Sequence, residues 1–284
     1  MPPIRRDLVQ ALALPGSKFN RRLPRGCPFV CDFCYKEAFY QGGKSFYTQR
    51  VEDALKEIDR LPGRHLYFLD DHIFGDRRFS SAPFSGMRGM GRIWQAAGTV
   101  NSILETRIQP HLMEEAVASG LRSLFVGFET INAENLHAQR KFQNQNRDYA
   151  AAIRRLKDLG VMINGSFVFG MDDDRPDVFD RTVEWAVQCG IETATFHILT
   201  PYPGTGTFKR MESQGRLLHR NWDLYDPPYG LQTREDDSYS NGRRLLEFLP
   251  KLLQLAQHRQ RGSKQINVHC CGPARRLLCR LEEI

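Results

Sequence analysis

Residues 25–35 read Arg-Gly-Cys-Pro-Phe-Val-Cys-Asp-Phe-Cys-Tyr, and they place Cys27, Cys31 and Cys34 on one short stretch. A four-iron cluster is usually held by four thiolates. Three thiolates on one loop would leave one iron without a protein ligand, and an open metal position is where a substrate or cofactor binds. The C-x3-C-x2-C spacing therefore predicts a [4Fe–4S] cluster bound by these three cysteines, and it favours an enzyme over an electron carrier.

Two other interpretations compete for this cysteine loop, a zinc knuckle and three unrelated free thiols. Zinc requires a fourth Cys or His nearby, and Asp32, His65 and His72 are poorly spaced for that role. The chain contains seven cysteines, an odd number with clustered positions. In a reducing cytosol, clustered cysteines are more often metal ligands than disulfides.

Outward from this loop, apolar strand-like runs alternate with amphipathic helical patterns. Residues 148–170 show the pattern clearly as a helix, a cap at Gly160 and then a strand. Gly190 likewise stands between a helical pattern and a strand within residues 179–205. Strands that alternate with helices of this length form right-handed βαβ units and a parallel sheet. We count about six such units, among them residues 65–71, 94–101 and 116–130.

The pattern predicts an α/β fold, a partial (β/α)6 TIM-like barrel with parallel strands and an irregular or helical C-terminal tail. The expected boundaries are an N-terminal extension over 1–20, the barrel over 21–226 and a divergent tail over 227–284. In such barrels functional groups lie at the C-terminal ends of the strands. The positions that follow apolar strands should therefore share one face with the cysteine loop, namely Asp70, Asp71, Glu129, the residues after Phe169, and residues 200–205.

The spacing C-x3-C-x-aromatic-C, with Phe33 at the aromatic position, resembles the signature of the radical S-adenosylmethionine superfamily. The resemblance covers roughly residues 20–226 and is closest to the class whose members usually carry an N-terminal cobalamin-binding domain. It implies that the methionine moiety chelates the open iron, that the reduced cluster donates an electron to the sulfonium, and that a 5′-deoxyadenosyl radical then abstracts hydrogen from a substrate. The segments that carry it are RGCPFVCDFC, YFLDDHIFGD, LFVGFET, GSFVFGMDDD and TPYPGT followed by NWDLYD.

The same resemblance implies cofactor-binding residues and assigns no catalytic residue. Phe33 would lie against the adenine, and Asp70 and Asp71 would accept hydrogen bonds from the methionine amino group. Glu129 would bind the amine or the ribose hydroxyls. The other interpretations of these residues are capping aspartates, a surface acid, turn glycines and a rigid proline connector. The remaining implied contacts are Gly165, Phe167 and Gly170 on the fifth strand and Thr200, Pro201 and Tyr202 after the sixth.

Two features depart from that class. Only 26 residues precede Cys27, too few for a cobalamin-binding domain, so we expect an enzyme without cobalamin, a truncated product or a separate cobalamin-binding polypeptide. After Asp226 the family-like segments stop, and a frame-shifted last segment is one hypothesis for the change. For the cysteines near the C-terminus, the two interpretations are ligands of a second cluster and an unselected surface tail: Cys270, Cys271 and Cys279.

Charge and hydropathy limit the partners. The net charge is +7 and the pI about 9.1, but basic and acidic residues are interspersed, as on a solvated surface, so nucleic acid is not an expected partner. No apolar run is long enough to predict a membrane span, and we place the protein in the cytoplasm. The resemblance implies a low-potential electron donor of the flavodoxin or ferredoxin type. It also implies a small-molecule or lipid substrate that undergoes methylation, C–C bond formation or rearrangement.

Two rival functions come from other classes. The first is a non-catalytic iron–sulfur binding protein, or a truncated remnant of a cobalamin-dependent enzyme. The second is an RNA-modifying radical enzyme, a type that usually adds a basic β-domain. The C-terminal residues here are basic without a β pattern, which disfavours the second.

Overall fold

The structure is a computed structural model that describes residues 19–21, 24–40, 46–104, 110–218, 220–221 and 267–270. Most of the N-terminal extension expected over 1–20 and of the tail expected over 227–284 lies outside these residues. Cys271, Cys279 and most of the segment to which the frame-shift hypothesis refers also lie outside them. No helix within the described ranges has both the length and the apolar character needed to cross a membrane.

Strands and helices alternate through the described chain. The strands are β1 Phe19–Arg21, β2 Pro24–Gly26, β3 Phe46–Thr48, β4 His65–Phe68, β5 Ile93–Thr99, β6 Leu121–Glu129, β7 Met162–Phe169, β8 Thr193–Ile198 and β9 Asn267–Cys270. The helices are α1 Tyr35–Tyr40, α2 Val51–Asp59, α3 Arg77–Met87, α4 Val100–Ile103, α5 Leu112–Ala118, α6 Ala133–Ala138, α7 Tyr149–Asp158, α8 Val178–Cys189 and α9 Gly206–Ser213, with a 3-10 turn over Phe142–Asn144.

One seven-stranded sheet forms the body of the protein, in the order β1-β4-β5-β6-β7-β8-β9. Every neighbouring pair in it is parallel, and from β4 to β8 neighbours in the sheet are also consecutive in the chain. This arrangement confirms the predicted α/β partial barrel with parallel strands. A separate antiparallel ribbon of β2 and β3 lies beside the cysteine loop.

Strand β9 differs from the expectation for the C-terminal region. The sequence predicted an irregular or helical tail, whereas residues 267–270 form a strand that pairs in parallel with β8. A sheet edge presents unpaired N–H and C=O groups that can accept another strand. A four-residue segment is too short to show a period of its own, so the sequence pattern did not reveal it.

Aromatic side chains fill the face of the sheet that packs against the helices. The ring of Phe167 lies between those of Phe128 and Phe196, with centroids 5.6 Å from each. Trp185 of α8 meets Phe128 edge-on at 5.5 Å. Because side chains alternate across a strand, the residues between these aromatics face the opposite, inner side of the curled sheet.

Gly120, between α5 and β6, has φ +113°, and a Cβ added there would overlap the backbone oxygen of Arg92. We expect Gly120→Ala to lower the free energy of unfolding by about 3 kcal/mol or more, because strain and steric overlap add. Gly160 is the matched control, since its φ is +69° with no atom within 4 Å of an added Cβ. Gly160→Ala should cost only about 1 kcal/mol. Urea unfolding of the two variants measures the difference, and equal midpoints would contradict the steric argument.

Candidate functional site

The three clustered cysteines lie on the loop that follows β2. Cys27 and Cys31 are buried and Cys34 is half-buried. The backbone N–H of Cys34 donates to the carbonyl of Cys31 at 3.0 Å and closes a turn between them. Burial raises the pKa of the Cys34 thiol, and the nearby thiolates of Cys31 and Cys27 add to that rise. The three thiols therefore lie on one short, largely buried segment of the chain.

Asp32 fixes the middle of this loop to two other parts of the chain. Its N–H donates to the carbonyl of Gln139 and its carbonyl accepts from the N–H of Thr207, both at 3.0 Å. Its carboxylate lies 3.1 Å from Arg210 of α9 and 3.4 Å from Arg140. Because Asp32 stands between Cys31 and Phe33 in sequence, these contacts fix the position of both neighbours.

The end of the loop is held by Tyr35 and Lys36 at the start of α1. The ammonium of buried Lys36 donates to the carbonyls of Cys27 and Phe29, at 3.3 and 3.4 Å. The hydroxyl of Tyr35 donates to the carboxylate of Asp71 at 2.8 Å. These bonds connect the cysteine loop to the segment that follows β4.

Glu129 at the end of β6 forms a buried ion pair with Lys141. Its Oε1 lies 2.6 Å from the Lys141 ammonium, and both side chains are at least 89% buried, since they are 11% and 8% exposed. Burial alone would lower the pKa of Lys141, but the charges of Glu129 and Cys31 raise it above its ordinary value, so this lysine stays charged. Glu129 also has φ +66°, in the left-handed region where a non-glycine residue is uncommon. Such strain is concentrated at functional sites.

Phe33 lies between an apolar cluster and the same lysine. It packs against buried side chains from the ends of β7 and β8 and from α9, which are Val168, Met171, Leu199 and Met211. The ammonium of Lys141 is 5.8 Å from the centre of its ring, within cation–π range. These contacts fix the position of the Phe33 ring next to the cysteine loop.

The other residues that the resemblance singled out occupy different environments. Asp70 is buried and Asp71 is exposed. Phe167 points its ring into the helix-facing core, so only its backbone is available toward the inner face. Gly165 and Gly170 are buried on the same strand and just after it, and Gly170 donates its N–H to Asp174 at 2.8 Å. After β8, the buried residues are Thr200 and Pro201, whereas Tyr202 is exposed.

Residues just after β8 approach the cysteine loop directly. A Cβ added at Gly204 would lie 2.7 Å from the Cβ of Ala38 in α1, and one at Gly206 would lie 2.9 Å from the carboxyl carbon of Asp32. After β4, the ring of His72 lies 5.5 Å from that of Phe29. Together with the Glu129–Lys141 pair and the Phe33 contacts, this brings the ends of β4, β6, β7 and β8 to one loop.

The inner face of the sheet carries polar side chains on β7 and β8. Thr195 donates its hydroxyl to the side-chain oxygen of Asn164 at 3.1 Å. Ser166 pairs with Thr195 in the strand register and faces the same side. Burial lowers the pKa of His197 while the charge of Glu129 opposes the shift, so the imidazole is neutral at pH 7. These side chains offer hydrogen bonds to a ligand on the inner face, beside the apolar side chain of Val168.

The donor set of the loop fits an iron–sulfur cluster. Across the residues that the structure describes, no three His, Cys, Asp or Glu side chains meet where they could hold a single metal ion. A four-iron cluster makes a different demand, because its cysteines bind separate irons. Two buried and one half-buried thiols, with the cations Lys36 and Lys141 nearby to balance the negative charge, meet that demand.

Several residues of the site were missed at the level of sequence. Asp32 was considered only as a poor zinc ligand. The segment 139–143, which supplies Gln139, Arg140, Lys141 and Gln143, was assigned no role. Its one available signal is a run of polar residues, KFQNQN, 12 residues after Glu129. Surface loops carry such runs as often as functional segments do, so the pattern alone does not identify a functional site.

A parallel α/β half-barrel with a three-cysteine loop against its strand ends defines a class of cofactor-dependent enzymes. A family model described as the Radical SAM superfamily matches residues 22–186, which is more than half of the chain. The chain therefore belongs to the radical SAM superfamily.

Several curated relatives are named as methyltransferases. A bacteriochlorophyllide d C-12(1)-methyltransferase from Chlorobaculum tepidum is 31% identical over 87% of this chain, which covers 54% of that relative. A hopanoid C-2 methylase from Rhodopseudomonas palustris is 24% identical over 68% of this chain and 38% of that relative. The chain thus spans about half or less of the length of these relatives.

The fold is also shared with solved structures. The radical S-adenosylmethionine methyltransferase TsrM from Kitasatospora setae, solved with cobalamin and a [4Fe–4S] cluster, superposes with a TM-score of 0.60 at 13% identity. The match covers 70% of this chain and 37% of that one. The Streptococcus suis protein SuiB, solved with its precursor peptide SuiA, gives a TM-score of 0.56 at 10% identity over 93% of this chain and 52% of that one.

Proposed function

We propose that this protein reductively cleaves S-adenosylmethionine at a [4Fe–4S] cluster held by Cys27, Cys31 and Cys34, and that a methyl group from a second S-adenosylmethionine is transferred to a small molecule. The observation that carries this proposal is the cysteine loop itself, with its three thiols anchored through Asp32 to two other parts of the chain. Such anchoring suits a site that must hold reacting groups in one geometry.

When bound, the cluster and S-adenosylmethionine supply a one-electron cleavage of the sulfonium that gives methionine and a 5′-deoxyadenosyl radical. The residues of this chain bind and orient. Phe33, packed from behind by Leu199 and its neighbours, would support the adenine. Asp70 and Asp71 would accept from the methionine amino group, and Glu129, fixed by Lys141, would accept from the ribose or the amine.

The backbone of β7 and the segment after β8 would complete the cofactor site. Gly165, Phe167 and Gly170 would contribute main-chain contacts, since the Phe167 ring is committed to the core. Thr200, Pro201 and Tyr202 would line the side nearest α9. Their proximity to the cysteine loop through Gly204 and Gly206 supports this role.

Methylation is the reaction that the relatives favour over C–C bond formation or rearrangement, because the two curated relatives described above are named as a methyltransferase and a methylase. The two named substrate classes, a chlorophyll precursor and a hopanoid, differ in polarity. The polar side chains on the inner face, those of Asn164, Ser166, Thr195 and His197, match the oxygen- and nitrogen-bearing tetrapyrrole better than a hydrocarbon. We therefore propose a tetrapyrrole or a similarly polar small molecule as substrate.

The cofactor and partner assignments follow from the family. We propose a flavodoxin or ferredoxin type of electron donor and a cytoplasmic location. TsrM was solved with cobalamin bound. Whether this protein uses cobalamin is tested by titrating the purified protein with hydroxocobalamin, with and without a separate cobalamin-binding polypeptide.

The test is anaerobic reconstitution with iron and sulfide, followed by dithionite and S-adenosylmethionine. We expect an absorption band at about 400 nm, as for other cysteine-bound four-iron clusters. We also expect 5′-deoxyadenosine to form only when the reductant is present. A cluster that gives no 5′-deoxyadenosine would favour the non-catalytic iron–sulfur protein. S-adenosylhomocysteine without 5′-deoxyadenosine would contradict radical initiation.

A further inference from the structure

Gln143 brings a side-chain amide to the cysteine loop from a distant part of the chain. Its Nε2 lies 3.3 Å from the Sγ of Cys31, and the two residues are 7% and 6% exposed. An amide N–H that points at a thiolate makes a charge-assisted hydrogen bond, which is stronger than its neutral counterpart. Burial strengthens it further, because no water competes for the sulfur.

The other two cysteines receive their hydrogen bonds differently. The backbone N–H of Phe29 bonds the Cys27 sulfur, and this bond opposes the rise that burial causes in the pKa of that thiol. The backbone N–H of Lys36 has the same effect on Cys34. Both donors belong to the cysteine loop or the residues that directly follow it. The Cys31 sulfur is contacted by a side chain of the barrel.

The position of the Gln143 amide is fixed by its neighbours in the chain. Its neighbour Asn144 donates to the carbonyl oxygens of Gly127 and Phe128 at 2.8 and 3.2 Å, which ties the 3-10 turn to the end of β6. On the other side Lys141 is held by the buried carboxylate of Glu129. The donor position is thus set by the sheet rather than by the cysteine loop.

We propose that Gln143 is a positioning residue for the iron–sulfur cluster, whose amide N–H holds the Cys31 sulfur and raises the reduction potential of the cluster. Hydrogen bonds to ligand sulfurs are one of the factors that set iron–sulfur potentials, because they stabilise the more negative, reduced state. Outer residues that orient a ligand also affect how tightly the metal is held. This inference rests on the proposed function, since it requires the cluster at Cys27, Cys31 and Cys34.

The experiment compares wild type, Gln143→Met, Gln143→Glu and the control Gln145→Leu after anaerobic reconstitution. Methionine keeps the length of the side chain without the N–H, and glutamate replaces the donor with an acceptor of similar size. Gln145 is half-buried two residues further along. The readout is the midpoint potential from a redox titration followed by electron paramagnetic resonance, without S-adenosylmethionine.

We expect Gln143→Met to shift the midpoint to a more negative potential, Gln143→Glu to shift it further, and Gln145→Leu to match wild type. Iron content and thermal unfolding are measured on the same samples, so that a misfolded variant is recognised. Where Gln143→Met retains too little cluster to titrate, Gln143→Glu gives the comparison. Wild-type potentials in both variants would overturn this inference and leave the proposed function intact, whereas a wild type that assembles no cluster would overturn both.

Discussion

Replacement of Cys31 by alanine is expected to abolish cluster assembly and reductant-dependent 5′-deoxyadenosine formation together. Loss of an outer residue around a metal site typically costs about 10–100-fold in metal affinity or activity, and loss of a direct ligand costs more. Cys31 is the most buried of the three cysteines, at 6% exposed beside 8% for Cys27, while Cys34 is half-buried. Water therefore has little access to replace it as a ligand.

Cys189 provides the matched control for this substitution. It is also a partly buried free thiol, but it ends α8 and packs against the helix-facing core. Cys189→Ala should retain wild-type iron, sulfide and 5′-deoxyadenosine. Iron and sulfide analysis, the absorption spectrum and chromatography of the products make the comparison. A Cys31→Ala enzyme with wild-type iron and turnover would refute the assigned ligand set.

The barrel was predictable because the glycines that end its helices can be recognised from short stretches of sequence. Gly160 and Gly190 both adopt φ +69° after a helix, as the sequence pattern required, and each is followed by a strand. The segment around Trp94 had a weaker pattern, yet it forms β5 because Trp94 packs between Phe68 and Phe84 on the helix-facing side. Strand β9 was not predictable, since its pairing depends on the free edge of β8.

The cysteine loop was predictable for a different reason, namely that its three cysteines lie within eight residues of one another, from Cys27 to Cys34. What supports the loop is distant in sequence. Asp32 and Arg210 are 178 residues apart, and Cys31 and Gln143 are 112 apart. Such pairs exist only after the strands have assembled, and glutamine and arginine have no spacing that distinguishes these roles from solvated ones.

The side-chain direction of Phe167 could have been read from the sequence with one more step. It lies two residues from Gly165 and two from Phe169 on one strand, so all three share a face. Phe169 is buried in the core with Phe179 of α8, at a centroid distance of 4.6 Å. The alternation of side chains along the strand therefore assigns the Phe167 ring to core packing, so that only its backbone can make the proposed cofactor contact.

Lys141→Met is expected to destabilise the protein more than any surface substitution, by about 3–5 kcal/mol. The change removes one partner of a buried ion pair and leaves the carboxylate of Glu129 without its counter-charge at the end of β6. The double variant Glu129→Gln with Lys141→Met should recover a large part of the loss, because neither remaining side chain carries a charge. Urea unfolding of the apoproteins compares wild type, the single variant and the double variant. Because no cluster is present, the measured free energies of unfolding contain no contribution from cluster binding.

A solvent-exposed ion pair serves as the control that separates the effect of burial from that of charge. Asp177 and Arg181 of α8 lie 3.6 Å apart with more than half of each side chain exposed. Asp177→Asn should change stability by no more than about 1 kcal/mol, because water and salt screen such pairs. If Lys141→Met cost no more than Asp177→Asn, the Glu129–Lys141 pair would not be the anchor of the β6 end. The strained backbone at Glu129 would then need another source of support, since the positive φ persists only where its surroundings hold it.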